Sequence, residues 1–322
     1  MVTEKKWAFG IDAGGTKVDI AAVDSQGIVL FKERIPTRVK DGPESIINDI
    51  CTVVKKIQKE IATPPVGAGV GMPGQIDPIT GVVYFAPNLK WREVPLKQEL
   101  ENILKMPIAV LNDVRAITWG EWKFGAGKGC NDLVSLFIGT GVGGGIITKG
   151  SLLVGMNNCA GELGHMTIDL NGPPCTCGNW GCVESYSGGW AIAKNAKNAL
   201  LNEPEADSLI EKIAEEQEEE ISAEIVIKAY HQGDLLAASI IDQAIQGIIA
   251  GSVTLVNAFN PERMIFGGGI VEALPELIGK VNLGVRERAL SAATQNLQIV
   301  GSKLGREAGV IGAADYIMNL SL

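Results

Sequence analysis

Three cysteines stand close together in Cys175-Thr176-Cys177-Gly178-Asn179-Trp180-Gly181-Cys182, and His165 lies shortly before them. Three thiols and one imidazole complete a tetrahedral zinc set. A Cys3His set leaves no position for an activated water, so it points to a structural metal rather than a catalytic one. Such a metal would hold the loop carrying Glu162, His165 and Glu184, polar side chains able to grip a hydroxylated ligand. The alternatives are small buried hydrophobes or disulfide partners. The single residue between Cys175 and Cys177 strains a bridge between them, and the start of the sequence does not read as a secretory leader.

A second candidate lies at Ile108-Ala-Val-Leu-Asn112-Asp113, which reads as a strand ending on an amide and a carboxylate. In open α/β sheets, ligands sit beyond the carboxyl ends of strands. The same dipeptide also suits the N-cap of a helix beginning near Val114, and the residues alone leave both uses open.

One pattern occurs twice. Trp7 to Asp12 and Val18 to Val23 flank the turn Ala13-Gly14-Gly15-Thr16-Lys17; Leu133 to Ile138 and Ile146 to Thr148 flank Gly139-Thr140-Gly141-Val142-Gly143-Gly144-Gly145. Both read as glycine-tipped hairpins, and their recurrence suggests an internal duplication. Such turns expose successive backbone N–H groups suited to phosphate, although either alone can be a plain turn. Gly139, Gly141 and Gly144 also match a dinucleotide fingerprint, but a strand-like run follows them where that fingerprint needs a helix. No P-loop is present. A third cluster, Gly267 to Gly269, follows the strand-like Arg263 to Phe266 and suits close approach by a flat ligand such as adenine.

The elements that must position these groups read as follows. Val66 to Ile76 is a strand entering a Pro-Gly turn, Ser187 to Leu201 is a helix, and Asn202 to Glu224 is acidic, with Glu215 to Glu220 read as a solvated helical face. Ala237 to Phe259 is a long core helix, with Ile241, Ile245, Ile248, Ser252, Leu255 and Phe259 at helical spacing. Gly305 to Asp315 is a small-residue helix able to pack closely on a neighbour.

With 322 residues the chain can fill two cores. A net charge of -9 argues against nucleic acid as the main partner. No apolar run reads as a membrane span, and a reducing cytoplasmic setting is expected.

Taken together, IDAGGTK, PNLKW, LNDV, GTGVGGG, GELGH, CTCGNWGCVES, GGG and AGVIGAA resemble the ROK family of sugar kinases, bacterial glucokinases above all. The resemblance implies a two-lobed α/β actin-like (ribonuclease-H-like) ATPase fold with an interlobe cleft. Residues 1–115 plus 301–322 would form the small lobe and 116–300 the large one carrying the zinc site. It implies transfer of phosphate from ATP to a hexose, glucose favoured, with Asp113 as general base. Asn112, Asp113, Glu162, His165 and Glu184 would bind the sugar, and His165, Cys175, Cys177 and Cys182 the zinc. Gly14, Gly15, Thr16, Lys17, Gly139, Thr140, Gly141 and Gly143 would grip phosphate, Gly268 and Gly269 the nucleoside, and Asp12 would orient Mg2+ through water. Assembly as a homodimer or tetramer is implied too. Kinases for N-acetylmannosamine, fructose or allose, and sugar-sensing repressors, share the pattern; the repressors carry an N-terminal helix-turn-helix, for which the residues before Trp7 leave no room. Polyphosphate is the alternative donor.

Overall fold

The computed structural model describes residues 6–202 and 208–320, so part of the expected acidic stretch, 203–207, lies outside the described residues. Two compact units emerge. The first holds the described residues of Met1–Gly129, Leu152–Ala160 and Lys303–Leu322; the second holds Cys130–Ser151 and Gly161–Ser302. The expected break after residue 115 falls inside helix Asp113–Lys123, and the division comes after Gly129.

In the first unit the strands are β1 (Trp7–Ala13), β2 (Lys17–Asp24), β3 (Val29–Pro36), β4 (Ala68–Met72), β5 (Gln75–Ile76), β6 (Val83–Ala86), β7 (Trp91–Val94) and β8 (Ile108–Asn112). The main sheet has the order β3-β2-β1-β4-β8, while β5, β6 and β7 form a small separate sheet. β1 runs antiparallel to β2, and β4 and β8 run parallel to β1, so Ala13, Met72 and Asn112 end on one edge. β1 and β4 are apolar almost throughout because both faces are covered. The edge strand β3 alternates exposed and half-buried positions instead.

Helix Ala308–Asn319 covers one face, and glycines set how closely it lies. A β-carbon on Gly10 would overlap the Val310 carbonyl, and one on Gly69 the Ala313 carbonyl. On the helix's other side, one on Gly312 would overlap the Ala116 carbonyl of helix Asp113–Lys123. Backbone therefore meets backbone on both flanks of this helix. The other face of the sheet packs on helix Gly42–Gln58, whose Ile46, Ile50, Val54 and Ile57 are buried.

The second unit repeats the plan with β9 (Leu133–Ile138), β10 (Val142–Thr148), β11 (Ser151–Leu152), β12 (Arg263–Gly267) and β13 (Gln298–Gly301). Their order, β11-β10-β9-β12-β13, matches the first sheet position for position, with a hairpin at β9 and β10 and parallel pairing at β12 and β13. Helix Leu235–Phe259 is long and apolar enough to cross a membrane by composition, yet Ile241, Ile245, Ile248 and Leu255 are buried in this unit's core. Phe259, read from its spacing as core, is 41% exposed because it sits in the last turn before Asn260 takes a left-handed φ of 45° and ends the helix. The acidic run is helical only to Glu216; Glu218 turns left-handed at φ 52°, so Glu218 to Glu220 form no helical face.

Gly69→Ala is expected to lower stability by about 2–3 kcal/mol, since neither backbone can yield to the added carbon. Urea unfolding measures it; an unchanged midpoint would show that the C-terminal helix is not seated on β4.

Candidate active site

The first hairpin closes with the Gly14 N–H donating to the Lys17 carbonyl at 3.0 Å, leaving Gly14, Gly15 and Thr16 at the tip. Thr37 steadies it, its hydroxyl donating to the Gly14 carbonyl at 2.7 Å and its N–H to the Thr16 carbonyl at 3.0 Å. Thr37 was not singled out from the sequence, because its contact is long-range. The turn at Pro87–Leu89 of the PNLKW run brings Asn88 against Gly15, where an added β-carbon would lie 3.3 Å from the Asn88 side chain. Thr16 and Lys17 are exposed, as groups reaching for a ligand must be.

Asp12 ends its strand beside this tip, and Gly309 lies so close that an added β-carbon would be 2.7 Å from Asp12 Oδ2. Burial, then the charges of Asp113 and Asp19, push the Asp12 carboxyl up to about 7, against the opposing pull of Lys17 and Lys32. Asp12 and Asp113 thus share one electrostatic neighbourhood, each at the end of a parallel strand. Asp19 does not share the need, because Arg34 holds it bidentately at 2.8 and 2.9 Å.

Of the two uses left open for Asn112 and Asp113, the structure shows the helix cap. Asn112 is the N-cap of helix Asp113–Lys123, its Oδ1 accepting from Val114 N at 3.0 Å and Arg115 N at 3.3 Å. That cap fixes the backbone from which the half-buried Asp113 projects. Two residues on, the buried Arg115 donates to the Asn158 side chain, to the Asn158 carbonyl at 2.9 Å and to the Ala160 carbonyl at 2.7 Å. It ties the segment leading into Gly161 and Glu162 to the helix of Asp113.

In the second unit, the tip Gly139-Thr140-Gly141 is closed by the Gly139 N–H donating to the Gly141 carbonyl at 2.9 Å. The carbonyls of Gly139 and Thr140 accept from Gly189 N and Trp190 N at 2.9 and 3.0 Å. β10 follows directly, which excludes the dinucleotide fold. Gly139, Thr140, Trp190, Ser222, Gly269 and Ile270 are among the residues lining a cavity of about 690 Å3. Gly268, at φ 94°, lies against the Ile138 carbonyl, where any β-carbon would clash.

The Leu163–His165 turn packs on β10 through Gly144 and Gly164, with no space for a β-carbon at either. Glu162 is exposed at its start, and Glu184 is buried with both oxygens hydrogen-bonded. The four ligand atoms of His165, Cys175, Cys177 and Cys182 lie within 4.8 Å of one another. Cys177 Sγ and Cys182 Sγ are 3.8 Å apart, and Cys175 Sγ is 3.6 Å from His165 Nδ1. A zinc tetrahedron with bonds of about 2.3 Å to sulfur and 2.0–2.1 Å to nitrogen requires separations of about 3.8 and 3.6 Å. The donor set therefore fits zinc in chemistry and spacing, and all six cysteines are unbridged. Burial, then hydrogen bonding with Cys175 and Cys177, pushes the metal-free Cys182 thiol up to about 12, so a metal must displace its proton.

Two sheets of identical order, each with a glycine-tipped hairpin after its first strand, define the two-lobed actin-like ATPase class, here in its sugar-kinase form. The ROK family model matches residues 8–319, and the chain belongs to that family as an ATP-dependent hexokinase. It is 35% identical over 310 residues to a glucokinase of Thermotoga maritima, covering 96% of each chain. A crystal structure of a ROK family glucokinase from Streptomyces griseus, in complex with glucose and AMPPNP, superposes with a TM-score of 0.80 at 32% identity, covering 96% of this chain and 98% of that one. A xylose repressor of Caldicellulosiruptor bescii is 31% identical over 97% of this chain and 78% of its own length.

The raised pKa of Asp12 has a stability consequence. Native protein binds more protons than unfolded protein between the ordinary carboxylate value and about 7, so stability falls as pH rises through that window. Asp12→Asn is expected to flatten this decline in metal-free protein and to leave the variant the more stable form at pH 8. Thermal unfolding across pH 4–8 reads it, and parallel curves would contradict the assignment.

Proposed function

We propose that this protein phosphorylates glucose at its 6-hydroxyl, with MgATP as donor and Asp113 as general base. The observation that carries the reading is the shared lining of the 690 Å3 cavity, where the hairpin tip Gly139-Thr140 meets Gly269-Ile270. A base and ribose seated there have their phosphates at the glycine tip. A polyphosphate donor needs no such cavity, which favours ATP.

The sugar hydroxyl oxygen attacks the γ-phosphorus, its proton passes to the Asp113 carboxylate, and the bond to the β-phosphate oxygen breaks to release ADP. Phosphoryl transfer of this kind asks mainly for in-line positioning and charge stabilisation. N–H groups of Gly14, Gly15, Thr16, Gly139, Thr140, Gly141 and Gly143, with Lys17, supply donors to phosphate. Asp12 would orient Mg2+ through water, and the ion, when bound, would supply charge neutralisation at the phosphates. Asn112 offers its Nδ2 to a sugar hydroxyl while Oδ1 caps the helix, and the exposed Glu162 carboxylate accepts from another. His165 turns Nδ1 toward the thiols and so leaves Nε2 for the sugar; Glu184, the remaining sugar ligand of this reading, also holds Thr176 of the same loop. Bound zinc at His165, Cys175, Cys177 and Cys182 would brace this loop. Glucose is favoured over N-acetylmannosamine, fructose or allose by the glucokinase relatives. A cytoplasmic location and assembly as a homodimer accord with that reading. The repressor relatives share the scaffold, and a sugar-sensing role without turnover is the second reading they support.

Asp113→Asn is expected to lower kcat by about 10²- to 10⁴-fold with the fold intact by circular dichroism. Turnover near wild type would remove Asp113 from the role. Cys177→Ser should raise the KM for glucose by about tenfold while nucleotide affinity, measured without sugar, changes little. Equal loss on both sides would mean that the cysteine loop supports the whole unit.

A further inference from the structure

Glu184 is 8% exposed, and its carboxylate is bound from three elements of the second unit. Oε2 accepts from Val142 N at 2.8 Å, the residue after the hairpin tip. Oε1 accepts from Thr176 Oγ1 at 3.2 Å, in the loop between Cys175 and Cys177, and from Trp190 Nε1 at 3.1 Å. Trp190 lines the 690 Å3 cavity, and its backbone N–H, not the indole, donates to the Thr140 carbonyl at the tip. Gly141 lies so near that a β-carbon there would strike Glu184 Oε2. One carboxylate therefore touches the phosphate hairpin, the cysteine loop and the cavity wall together.

We propose that Trp190 is a nucleotide-binding residue whose indole N–H, through Glu184, couples occupancy of the nucleotide cavity to the loop that recognises the sugar. The inference rests on the kinase reading above and deepens it. A base stacked against the half-buried Trp190 ring fixes the indole, the indole fixes Oε1, and Oε1 holds Thr176 within the cysteine loop. A charge-assisted hydrogen bond in a buried setting transmits position well because neither oxygen can rotate away without losing a second partner. Glu184, which the resemblance also places at the sugar, would serve here to position the loop.

The test is a coupling measurement by calorimetry on the intact protein: the Kd of Mg-AMPPNP without glucose divided by that with saturating glucose. Wild type is expected to show coupling of about 5-fold or more. Trp190→Phe keeps an aromatic wall and removes the indole N–H, so coupling should fall toward 1 while Tm is held. Thr176→Val cuts the loop side of the same carboxylate, should do the same, and serves if Trp190→Phe fails to fold. Retained coupling in both variants overturns the inference, as does absence of coupling in wild type; a lowered Tm with coupling intact assigns Trp190 a structural role only and overturns it too. Failure of the kinase reading is separate, showing as wild-type protein that binds Mg-AMPPNP without phosphorylating any hexose from MgATP.

Discussion

Glycine leaves the backbone N–H groups of a turn uncovered by side chains, and both main sheets carry a glycine-rich tip. Gly14-Gly15-Thr16 and Gly139-Thr140-Gly141 each follow the first strand of a five-stranded sheet, and the two sheets share one strand order. Thr37 and Asn88 steady the first tip, and Gly189, Trp190 and Glu184 the second. A loop with bulkier side chains at the tip would keep the strands and cover the N–H groups proposed to bind phosphate.

Buried carboxylates supply much of the holding. Glu184 is one; Glu121 is another, at 0% exposure, accepting from Ala126 N at 2.7 Å and from Lys303 N and Leu304 N at 2.9 and 2.8 Å. Both are satisfied chiefly by N–H donors rather than by a cation, which avoids desolvating a second charge. Glu121 sits where the chain leaves the first unit after Gly129 and where it returns at Lys303. Asp12 is the contrast, with its carboxyl pushed up to about 7 by burial and by the charges of Asp113 and Asp19. That contrast accords with the Mg2+ role proposed for Asp12.

Much of this was legible in the sequence because local chemistry carried it. Glycine between apolar runs marked both hairpins, and the repeat of strand, turn and strand forecast the matching sheets. Cysteine spacing with one upstream histidine found all four zinc-competent residues. The small-residue ending forecast a closely packed helix, but not that Gly10 and Gly69 on distant strands would receive it, since both partners must be seen together. Trp190 and Arg115 carried no local signal; one wall of a cavity and one buried clamp exist only once distant segments meet. Periodicity placed Phe259 in the core because it does not report where a helix ends, and the acidic run read as helical because charge does not report a left-handed turn at Glu218.

The central claim is that a hexose and a magnesium nucleotide meet on this scaffold and exchange a phosphoryl group. ADP release coupled to NADH oxidation, followed with purified protein, MgATP and glucose, fructose, allose or N-acetylmannosamine in turn, addresses it directly. The account predicts magnesium-dependent turnover that is fastest with glucose and equimolar with glucose 6-phosphate formed. ADP release that is indifferent to every sugar, or none at all, would contradict it.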